Sequence, residues 1–480
     1  MSLSRDQLIA ALIEALGPDA VLYKPYDLML YEYDAYVERA MPSLVVLPTT
    51  TEQVATAVRL ANQAGIPFLA RGAGTGLSGG AIASNDSMMI CLARMRRILS
   101  IDPVNLRAVV QPGVVNSDLS EAAAPYGLQY LPDPSSQRAC TIGGNVAENS
   151  GGPHCLAYGV TLNHVLGVEM VLPNGEIVTL GGAALDPPGY DLLGLVVGSE
   201  GTLGIVTQII VRLAPLQEDV RTLLAVFDRL EAASRAVSAI IAAGIIPAAL
   251  EMMDQLALQA IEAYVHVGYP LDAAAVLLIE IEGLHEGLDV QAAQIERICR
   301  TEGARSVRRA ETADERALLW RGRKSAFGAV GRLAKAYFTQ DGVVPRTKLP
   351  QVLEEIQEIG RRHCLRILNV FHAGDGNLHP LILFDPDDPD EIARTWRATD
   401  EIMATFVKAG GTITGEHGIG LEKRDYMPLL FSPRELALMR DLRHVFDPYE
   451  RCNPGKIFPT GRALTGEATP LHKPQLSMRL

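Results

Sequence analysis

The 480-residue chain has little cysteine, and its six cysteines show no repeated short spacing. That pattern excludes a disulfide framework and a zinc or iron–sulfur site built from closely spaced cysteines. We therefore expect a protein of a reducing compartment, the cytoplasm, with its thiols free.

Basic residues are also in the minority, since 43 Lys and Arg face 56 Asp and Glu and the formal net charge is −13. A nucleic-acid-binding surface needs clustered Lys and Arg, so we expect no nucleic-acid partner. Long apolar runs are missing too, because Gly244 and Pro247 interrupt the most apolar stretch, residues 237–253. That stretch is too short to cross a bilayer, and we predict no membrane span.

Hydrophobic residues make up 48% of the chain, and its length suggests more than one domain. Up to residue 217, glycine-rich loops alternate with short strands, whereas longer strands and helices alternate from Arg221 onward. We predict an α+β fold with a first domain at 1–217 and a second at 218–445, where an antiparallel sheet is covered by helices. Residues 446–480 form a separate C-terminal segment.

Residues 71–80, RGAGTGLSGG, are rich in glycine, which permits positive φ and lets backbone N–H groups converge on a phosphate. They contain the spacing Gly74-x-Gly76-x-x-Gly79 of a dinucleotide-binding loop. No helix is predicted at Gly79, however, and no acidic residue ends the next strand. The match alone does not distinguish a phosphate loop from a tight surface turn.

Three further loops are also rich in turn-forming residues. CTIGGNVAENSGG from Cys140 and GSEGTLGI from Gly198 contain several glycines, whereas PDPSS from Pro132 is a rigid turn of proline and short polar side chains. One such loop is commonly a turn. Four of them within about 130 residues indicate a large polar ligand.

The second half contains NVFHAGDGNLHPLILF at residues 369–384. Asp375 and Gly376 between two apolar runs predict a two-residue hairpin turn, which places His372 directly opposite His379. Opposed residues have Cβ atoms about 4.5–5.5 Å apart, so the two imidazoles could share one metal ion. A stacked, neutral pair is the alternative.

The motif Gly-Glu-His-Gly at 415–418 follows a predicted strand at 412–414. Glu416 could add a carboxylate to the two histidines, and Zn²⁺, Mn²⁺ and Fe²⁺ all suit that ligand set. We expect His417 to project to the opposite side of the strand, where it is available as a base. In isolation this motif is more often a loop with a solvated pair.

Together these motifs resemble two known families. The four glycine-rich loops are similar to the FAD-binding domain of the vanillyl-alcohol oxidase flavoprotein superfamily. HAGDGNLHP, GEHGIGLEK and the late NPGK resemble the FAD-linked oxidase C-terminal domain. The resemblance implies noncovalent FAD, because the first loop has no histidine, and a C-terminal segment that returns to the FAD domain. His154 and Cys155 are expected to pack within a loop and not to attach the flavin.

The resemblance also implies a set of cofactor contacts. Residues 71–80 would hold the pyrophosphate, residues 132–134, 141–145 and 150–152 would line the diphosphate, ribityl and flavin region, and residues 200–205 would hold the adenine side. The expected cofactor-binding residues are Arg71, Gly72, Gly74, Thr75, Gly76, Leu77, Ser78, Gly79, Pro132, Asp133, Thr141, Gly143, Gly144, Asn145, Ser150, Gly152, Glu200, Gly201, Ile205, Asn453 and Lys456.

By the same resemblance, a divalent metal (Zn, Mn or Fe) is bound by His372, His379 and Glu416. His417 is then the catalytic base, and Arg323, on a predicted helix, clamps the substrate carboxylate. An exposed helix charge is the alternative for Arg323.

Members of this family oxidise glycolate, D-lactate and D-2-hydroxyglutarate. Thr339 and Leu381 stand where members acting on 2-hydroxyglutarate carry Lys and Asn, which argues against a second substrate carboxylate. The segments WRGRKSAFGAVGR, DGVVPR and GIIPAALEMMD are most similar to the flavin subunits of the glycolate-oxidising members. Glycolate is therefore favoured, with D-lactate as the alternative. A non-redox use of FAD and a hydrolytic metal site are alternatives from other classes.

Likeness to those flavin subunits implies partners as well. They are a second flavoprotein-like subunit and an iron–sulfur subunit that deliver electrons towards quinone. The expected location is the cytoplasm, with attachment to the periphery of the inner membrane through these subunits as the alternative.

Overall fold

The computed structural model describes residues 2–84, 86–184 and 188–461. Its architecture is α+β, as predicted, with two sheets and a small strand pair in the first part and a large antiparallel sheet in the second. The predicted C-terminal segment 446–480 lies partly outside the described residues, which end at 461. Among the described helices, none combines the length and the apolar character needed to cross a membrane.

The first part of the chain contains short strands and helices between long loops. Its strands are β1 (Val21–Leu22), β2 (Leu44–Val46), β3 (Phe68–Arg71), β4 (Met88–Cys91), β5 (Ile98–Asp102), β6 (Arg107–Val110), β7 (Leu128–Gln129), β8 (Val165–Val171), β9 (Ile177–Gly181), β10 (Ile205–Arg212) and β11 (Ala214–Pro215). Its helices are α1 (Arg5–Leu16), α2 (Pro25–Leu28), α3 (Thr51–Ala64), α4 (Asn116–Ala123), α5 (Ile142–Glu148), α6 (Cys155–Tyr158) and α7 (Leu192–Val196).

Two sheets organise this part. The first has the order β1-β2-β4-β3, in which β2, β4 and β3 are parallel, and α3 provides the crossover between β2 and β3. The hydroxyl of Thr50 caps α3 by accepting the N–H of Gln53. The second sheet is antiparallel, with the order β5-β6-β10-β8-β9. Because β3 ends at Arg71, the first glycine loop begins at the carboxyl edge of a buried parallel strand.

The second part contains longer elements. Its strands are β12 (Asp219–Phe227), β13 (Ala249–Asp254), β14 (Ala275–Gly283), β15 (Ala304–Arg309), β16 (Ala336–Thr339), β17 (Gly342–Val343), β18 (Arg366–His372), β19 (Asn377–Leu378) and β20 (Pro380–Phe384). Its helices are α8 (Leu230–Ala242), α9 (Gln255–Val265), α10 (His285–Thr301), α11 (Ala313–Lys324), α12 (Ala326–Val330), α13 (Leu349–Arg362), α14 (Pro389–Lys408), α15 (Met427–Leu430) and α16 (Pro433–Phe446).

The large sheet has the order β15-β12-β14-β13-β18-β19-β17, and β20 pairs with both β16 and β18. Helices cover both of its faces. Leu223 and Ala225 of β12 belong to the core that contains α8, α10, α13 and α14, whereas Leu224 and Val226 belong to the core that contains α9, α11 and α12. Burial on both faces explains the continuous apolar runs LLAVF in β12 and AVLLI in β14.

The histidine hairpin has a different register from the predicted one. His372 pairs with Asn377, and residues 373–376 form a four-residue connection, so the prediction that His372 lies directly opposite His379 was wrong. The Asp375 carboxylate accepts the N–H of Asn377, and Gly376 has a φ of +83°. A register shift of two keeps side chains on the same face, and the two imidazole rings still lie 5.2 Å apart.

The described part of the C-terminal segment packs against the first domain. The Asn453 amide donates hydrogen bonds to the carbonyls of Gly80 and Glu200, at 3.0 and 2.7 Å. The Lys456 ammonium donates to the carbonyl of Ile82 at 2.6 Å. The segment therefore joins the first glycine loop to the fourth.

Candidate active site

One cavity brings together all four glycine-rich loops and the histidine–glutamate motifs. Its wall includes Ser135 of the second loop and, from the second domain, His379, Glu416 and His417. The predicted cofactor residues in this wall are Gly72, Gly74, Thr75, Gly76, Leu77, Thr141, Gly143, Gly144, Asn145, Ser150, Glu200, Gly201, Ile205 and Asn453. The cavity thus places a cofactor cradle beside a candidate metal centre.

Close approach of two loops shapes the cradle. A β-carbon on Gly72 would lie 2.5 Å from the Thr141 hydroxyl oxygen, so the first and third loops meet without room for a side chain. The same hydroxyl accepts the N–H of Gly144 and so helps to fix the third loop. Narrow walls made of backbone fit a long polar cofactor whose phosphates accept N–H groups.

The other predicted cofactor residues lie behind the wall that the described residues form. The Arg71 guanidinium lies against Gly74 and 6.0 Å from the ring of Tyr31. The Ser78 carbonyl accepts the N–H of Leu421 from the second domain. These residues support the loops: Arg71, Ser78, Gly79, Pro132, Asp133, Gly152 and Lys456.

The three predicted metal ligands converge. The Nε2 atoms of His372 and His379 lie 3.2 and 3.3 Å from the same Glu416 oxygen, Oε1. One ligand atom from each residue lies within 4.8 Å of the other two. Neither ring nitrogen of His379 has a hydrogen-bond partner among the described residues. Two buried imidazoles and one carboxylate form a donor set that fits a divalent metal.

The charge of Glu416 suits the same role. Burial raises the pKa of its carboxyl, but His372 and His379 outweigh that effect and lower the pKa to about 2. Glu416 is therefore ionised at neutral pH, as a metal ligand must be.

Glu251 completes this centre, and the sequence analysis did not identify it. It is fully buried on β13, where its Oε1 atom accepts a hydrogen bond from His372 Nδ1 at 2.8 Å. Its other oxygen accepts from Arg323 Nε at 2.7 Å. With Nδ1 engaged as a donor, the Nε2 lone pair of His372 is free to bind a cation. A glutamate within the apolar strand ALEMMD was the signal available in the sequence.

Arg323 is buried, with 1% of its surface exposed, so the alternative of an exposed helix charge is wrong. It lies in the last turn of α11 and is not part of the cavity wall that the described residues form, whereas its neighbour Lys324 lines the cavity. Its Nη1 atom has no hydrogen-bond partner in the part of the chain that the structure describes. Arg323 therefore anchors Glu251 and retains donor capacity.

Asp341, between β16 and β17, is a second residue that the sequence analysis missed. Its Oδ2 atom accepts the backbone N–H groups of residues 415–417, the Thr414 hydroxyl at 2.6 Å and the Lys423 ammonium at 3.1 Å. Asp341 and Lys423 are both fully buried. The loop that carries Glu416 and His417 is thus folded around one carboxylate oxygen.

This loop corrects the predicted position of His417. Residues 412–414 do not form a strand, apart from a single bridge between Thr412 and Val343, and His417 does not point away from Glu416. Because the chain curls around Asp341, the His417 ring stacks on the His379 ring with centroids 4.9 Å apart. Burial lowers the pKa of His417 to about 4, so its imidazole is neutral at neutral pH and able to accept a proton.

Glu200 also makes contacts that the sequence did not predict. Its two carboxylate oxygens accept the N–H groups of Ile419 and Gly420, at 2.6 and 2.7 Å. The side chain therefore joins the fourth glycine loop to the segment that follows His417.

His154 packs as expected for a loop residue. Its Nδ1 atom lies 2.9 Å from Asp133, and its ring stacks on that of Trp320 with centroids 5.7 Å apart. Glu280 of β14 lies 3.6 Å from the other ring nitrogen. His154 therefore connects a loop of the first domain to residues of the second domain.

Comparisons with known proteins give two family matches, one in each part of the chain. Residues 42–181 match the FAD binding domain family, and residues 216–457 match the family of FAD linked oxidases, C-terminal domain. The chain is 47% identical to the glycolate oxidase subunit GlcD of Escherichia coli (strain K12) over 457 residues, which are 95% of this chain and 92% of that protein. The chain belongs to the FAD-linked oxidase family. It is an FAD-dependent oxidoreductase.

This FAD-linked oxidase has other relatives. It is 35% identical to the D-lactate dehydrogenase of Anaerostipes hadrus over 428 residues, 87% of this chain and 90% of that protein. The solved structure of p-cresol methylhydroxylase with substrate bound superposes on this chain with a TM-score of 0.80, at 18% sequence identity. The match covers 95% of this chain and 98% of that one, and it confirms the predicted vanillyl-alcohol oxidase type of fold.

Thr339 and Leu381 of this FAD-linked oxidase lie on neighbouring strands, next to a residue of the cavity wall. Thr339 of β16 pairs with Leu381 of β20, and both are buried. Tyr337, two residues before Thr339 and on the same face of the strand, lines the cavity. Neither Thr339 nor Leu381 offers a charge to a second substrate carboxylate.

Proposed function

We propose that this enzyme oxidises a small 2-hydroxy acid, with glycolate favoured, to the 2-oxo acid, and that it depends on FAD and a divalent metal. The observation that carries the proposal is the meeting of the FAD cradle with His379, Glu416 and His417 in one cavity wall. The identity of 47% with a glycolate oxidase subunit supports glycolate.

His372, His379 and Glu416 would hold the metal, and Zn²⁺, Mn²⁺ and Fe²⁺ all suit them. Glu251 would fix the orientation of His372, since it accepts the hydrogen bond from Nδ1. A divalent ion at this position supplies Lewis acidity, which lowers the pKa of a substrate hydroxyl.

His417 is the proposed base for the hydroxyl proton. Its ring is buried and neutral, and its Nδ1 atom has no hydrogen-bond partner among the described residues. FAD, when bound, supplies a two-electron acceptor for the hydrogen on the neighbouring carbon. Stacking on His379 holds the His417 imidazole beside the proposed metal ligands.

Arg323 is the proposed cation for the substrate carboxylate. Its Nη1 atom is a buried donor without a partner among the described residues, and a substrate carboxylate would satisfy it. Lys324, which lines the cavity and lies 3.7 Å from Asp133, supplies further positive charge.

Neither Thr339 nor Leu381 carries a positive charge that could bind a second carboxylate, and this favours a substrate with a single carboxylate. That chemistry is shared by glycolate and D-lactate, and D-lactate remains the second candidate because a D-lactate dehydrogenase is 35% identical to this chain.

Similarity to a glycolate oxidase subunit also concerns assembly. A relative at 47% identity is named as a subunit, so we infer that this chain works with a second flavoprotein-like subunit and an iron–sulfur subunit that accept its electrons. The free cysteines of the described chain agree with a cytoplasmic location, at the periphery of the inner membrane when those subunits are bound. FAD is noncovalent in this proposal, because His154 is engaged by Asp133.

Anaerobic mixing with glycolate tests the redox assignment and the base together. Wild-type protein should lose its flavin absorbance, and His417→Gln should do so about 10²- to 10⁴-fold more slowly while retaining FAD and metal. A normal rate in His417→Gln would refute the base assignment. Failure of both glycolate and D-lactate to bleach the wild-type flavin would favour a non-redox role.

A further inference from the structure

Glu148 occupies a position that the proposed mechanism does not use. It is the last residue of α5 and lines the cavity between the first glycine loop and the loop after His417. One carboxyl oxygen, Oε1, lies 2.6 Å from the point where a β-carbon of Gly80 would be. The other, Oε2, closely approaches the corresponding point at Gly418. Glycines at these two positions leave room for the carboxyl group in this conformation.

The two neighbouring glutamates of this region differ in their hydrogen bonds. Glu200 is satisfied by the N–H groups of Ile419 and Gly420. Glu148 Oε2, in contrast, is buried and has no hydrogen-bond partner among the described residues. An ionised carboxylate without donors is costly in a buried site, whereas a neutral acid with a free O–H can donate to a ligand.

The surrounding charges favour the neutral form of Glu148. Burial raises the pKa of its carboxyl well above the ordinary value, and Glu200 and Asp34 raise it further. Lys423 and Lys456 act in the opposite direction without reversing the shift.

We propose that Glu148 is a neutral carboxylic acid that donates a hydrogen bond to the flavin ring of bound FAD and thereby raises its reduction potential. The flavin ring is the part of FAD that must lie beside the base, so this placement rests on the proposed role of His417. Reduction adds electron density to the ring, and a fixed donor stabilises the reduced form more than the oxidised form.

Two substitutions in the FAD-loaded protein separate the possible roles of Glu148, with the midpoint potential measured by reductive titration without substrate. Glu148→Gln keeps a donor and should leave the potential close to that of wild type, whereas Glu148→Leu should lower it. If both substitutions raise the potential, Glu148 is an ionised carboxylate and the proposal is wrong. If neither changes it, Glu148 does not act on the flavin, and the proposal is equally wrong. Glu176→Gln, at an exposed position of the same domain, is the control.

An infrared difference spectrum between oxidised and reduced protein covers the case in which Glu148→Leu fails to bind FAD. A protonated-carboxyl band that shifts on flavin reduction and disappears in Glu148→Gln supports the proposal, and its absence from wild type overturns it. Because neither measurement uses substrate, failure here is distinct from failure of the proposed glycolate oxidation.

Discussion

Glu251 of β13 and His372 of β18 are direct cross-strand partners, and the His372 Nδ1 atom lies 2.8 Å from Glu251 Oε1. A proposed metal ligand on one strand is therefore hydrogen-bonded to a carboxylate on the neighbouring strand. Burial raises the pKa of Glu251, but His372 and Arg323 outweigh it and hold the pKa below its ordinary value. Glu251 is thus a fixed negative charge behind the proposed metal.

Replacing Glu251 with Gln should weaken metal binding about 10- to 100-fold, the usual effect of losing a carboxylate that orients a histidine ligand. Titration of metal-free protein with Zn²⁺ or Mn²⁺ measures the change. Glu354→Gln, on the exposed side of α13, is the matched control. Equal affinities in Glu251→Gln and wild type would contradict the orienting role.

Replacing Asp341 with Asn should lower the free energy of unfolding by about 3–5 kcal/mol, because it leaves the buried Lys423 ammonium without its carboxylate. Denaturant titration measures this loss. Asp387→Asn removes an exposed partner of Lys335 and should leave the free energy of unfolding nearly unchanged. Similar losses of unfolding free energy in the two variants would show that the buried Asp341–Lys423 pair contributes no more stability than the exposed Asp387–Lys335 pair.

His154 should make the stability of the protein depend on pH. Burial lowers its pKa, but Asp133 and Glu280 outweigh that effect and raise it to about 10, above its value of about 6.5 in an unfolded chain. The stabilisation by protonated His154 is therefore complete below pH about 6.5 and is lost as the pH rises through about 10.

Denaturation of wild type and His154→Gln at several pH values measures this effect. The difference in unfolding free energy should be largest near pH about 6 and smallest above pH about 10. His444→Gln, at an exposed position of α16, is the control. A difference that stays constant over this pH range would contradict stabilisation by protonated His154 beside Asp133 and Glu280.

Arg323→Lys should reduce kcat/KM for glycolate by about 10- to 100-fold, mainly through a higher KM, since lysine lacks the planar fork that contacts two carboxylates. Steady-state kinetics with an artificial electron acceptor measures the loss. Arg321→Lys, on the exposed face of the same helix, should have little effect. Unchanged kinetics in Arg323→Lys would exclude it as the carboxylate cation.

Local motifs predicted much of the cavity. The glycine loops and the Glu416–His417 pair are contiguous in the sequence, so composition and turn chemistry identify them without knowledge of the fold. The error in the hairpin register was harmless for the metal centre, because a shift by two residues keeps His372 and His379 on one face.

Contacts between distant segments were not predictable in the same way. Glu251 and His372 are 121 residues apart in the chain, and their pairing depends on which strands become neighbours in the large sheet. Asp341 likewise folds a loop more than 70 residues away, and this contact reversed the expected direction of His417. Single-sequence patterns carry no signal for such pairs.

The most direct test of metal- and FAD-dependent glycolate oxidation is anaerobic reduction of the bound flavin by glycolate, before and after removal of divalent metal. We expect rapid bleaching of the metal-loaded protein, little bleaching after chelation with FAD retained, and recovery when Zn²⁺, Mn²⁺ or Fe²⁺ is restored. Bleaching at the same rate without metal would contradict the metal dependence, and no bleaching with metal would contradict glycolate oxidation.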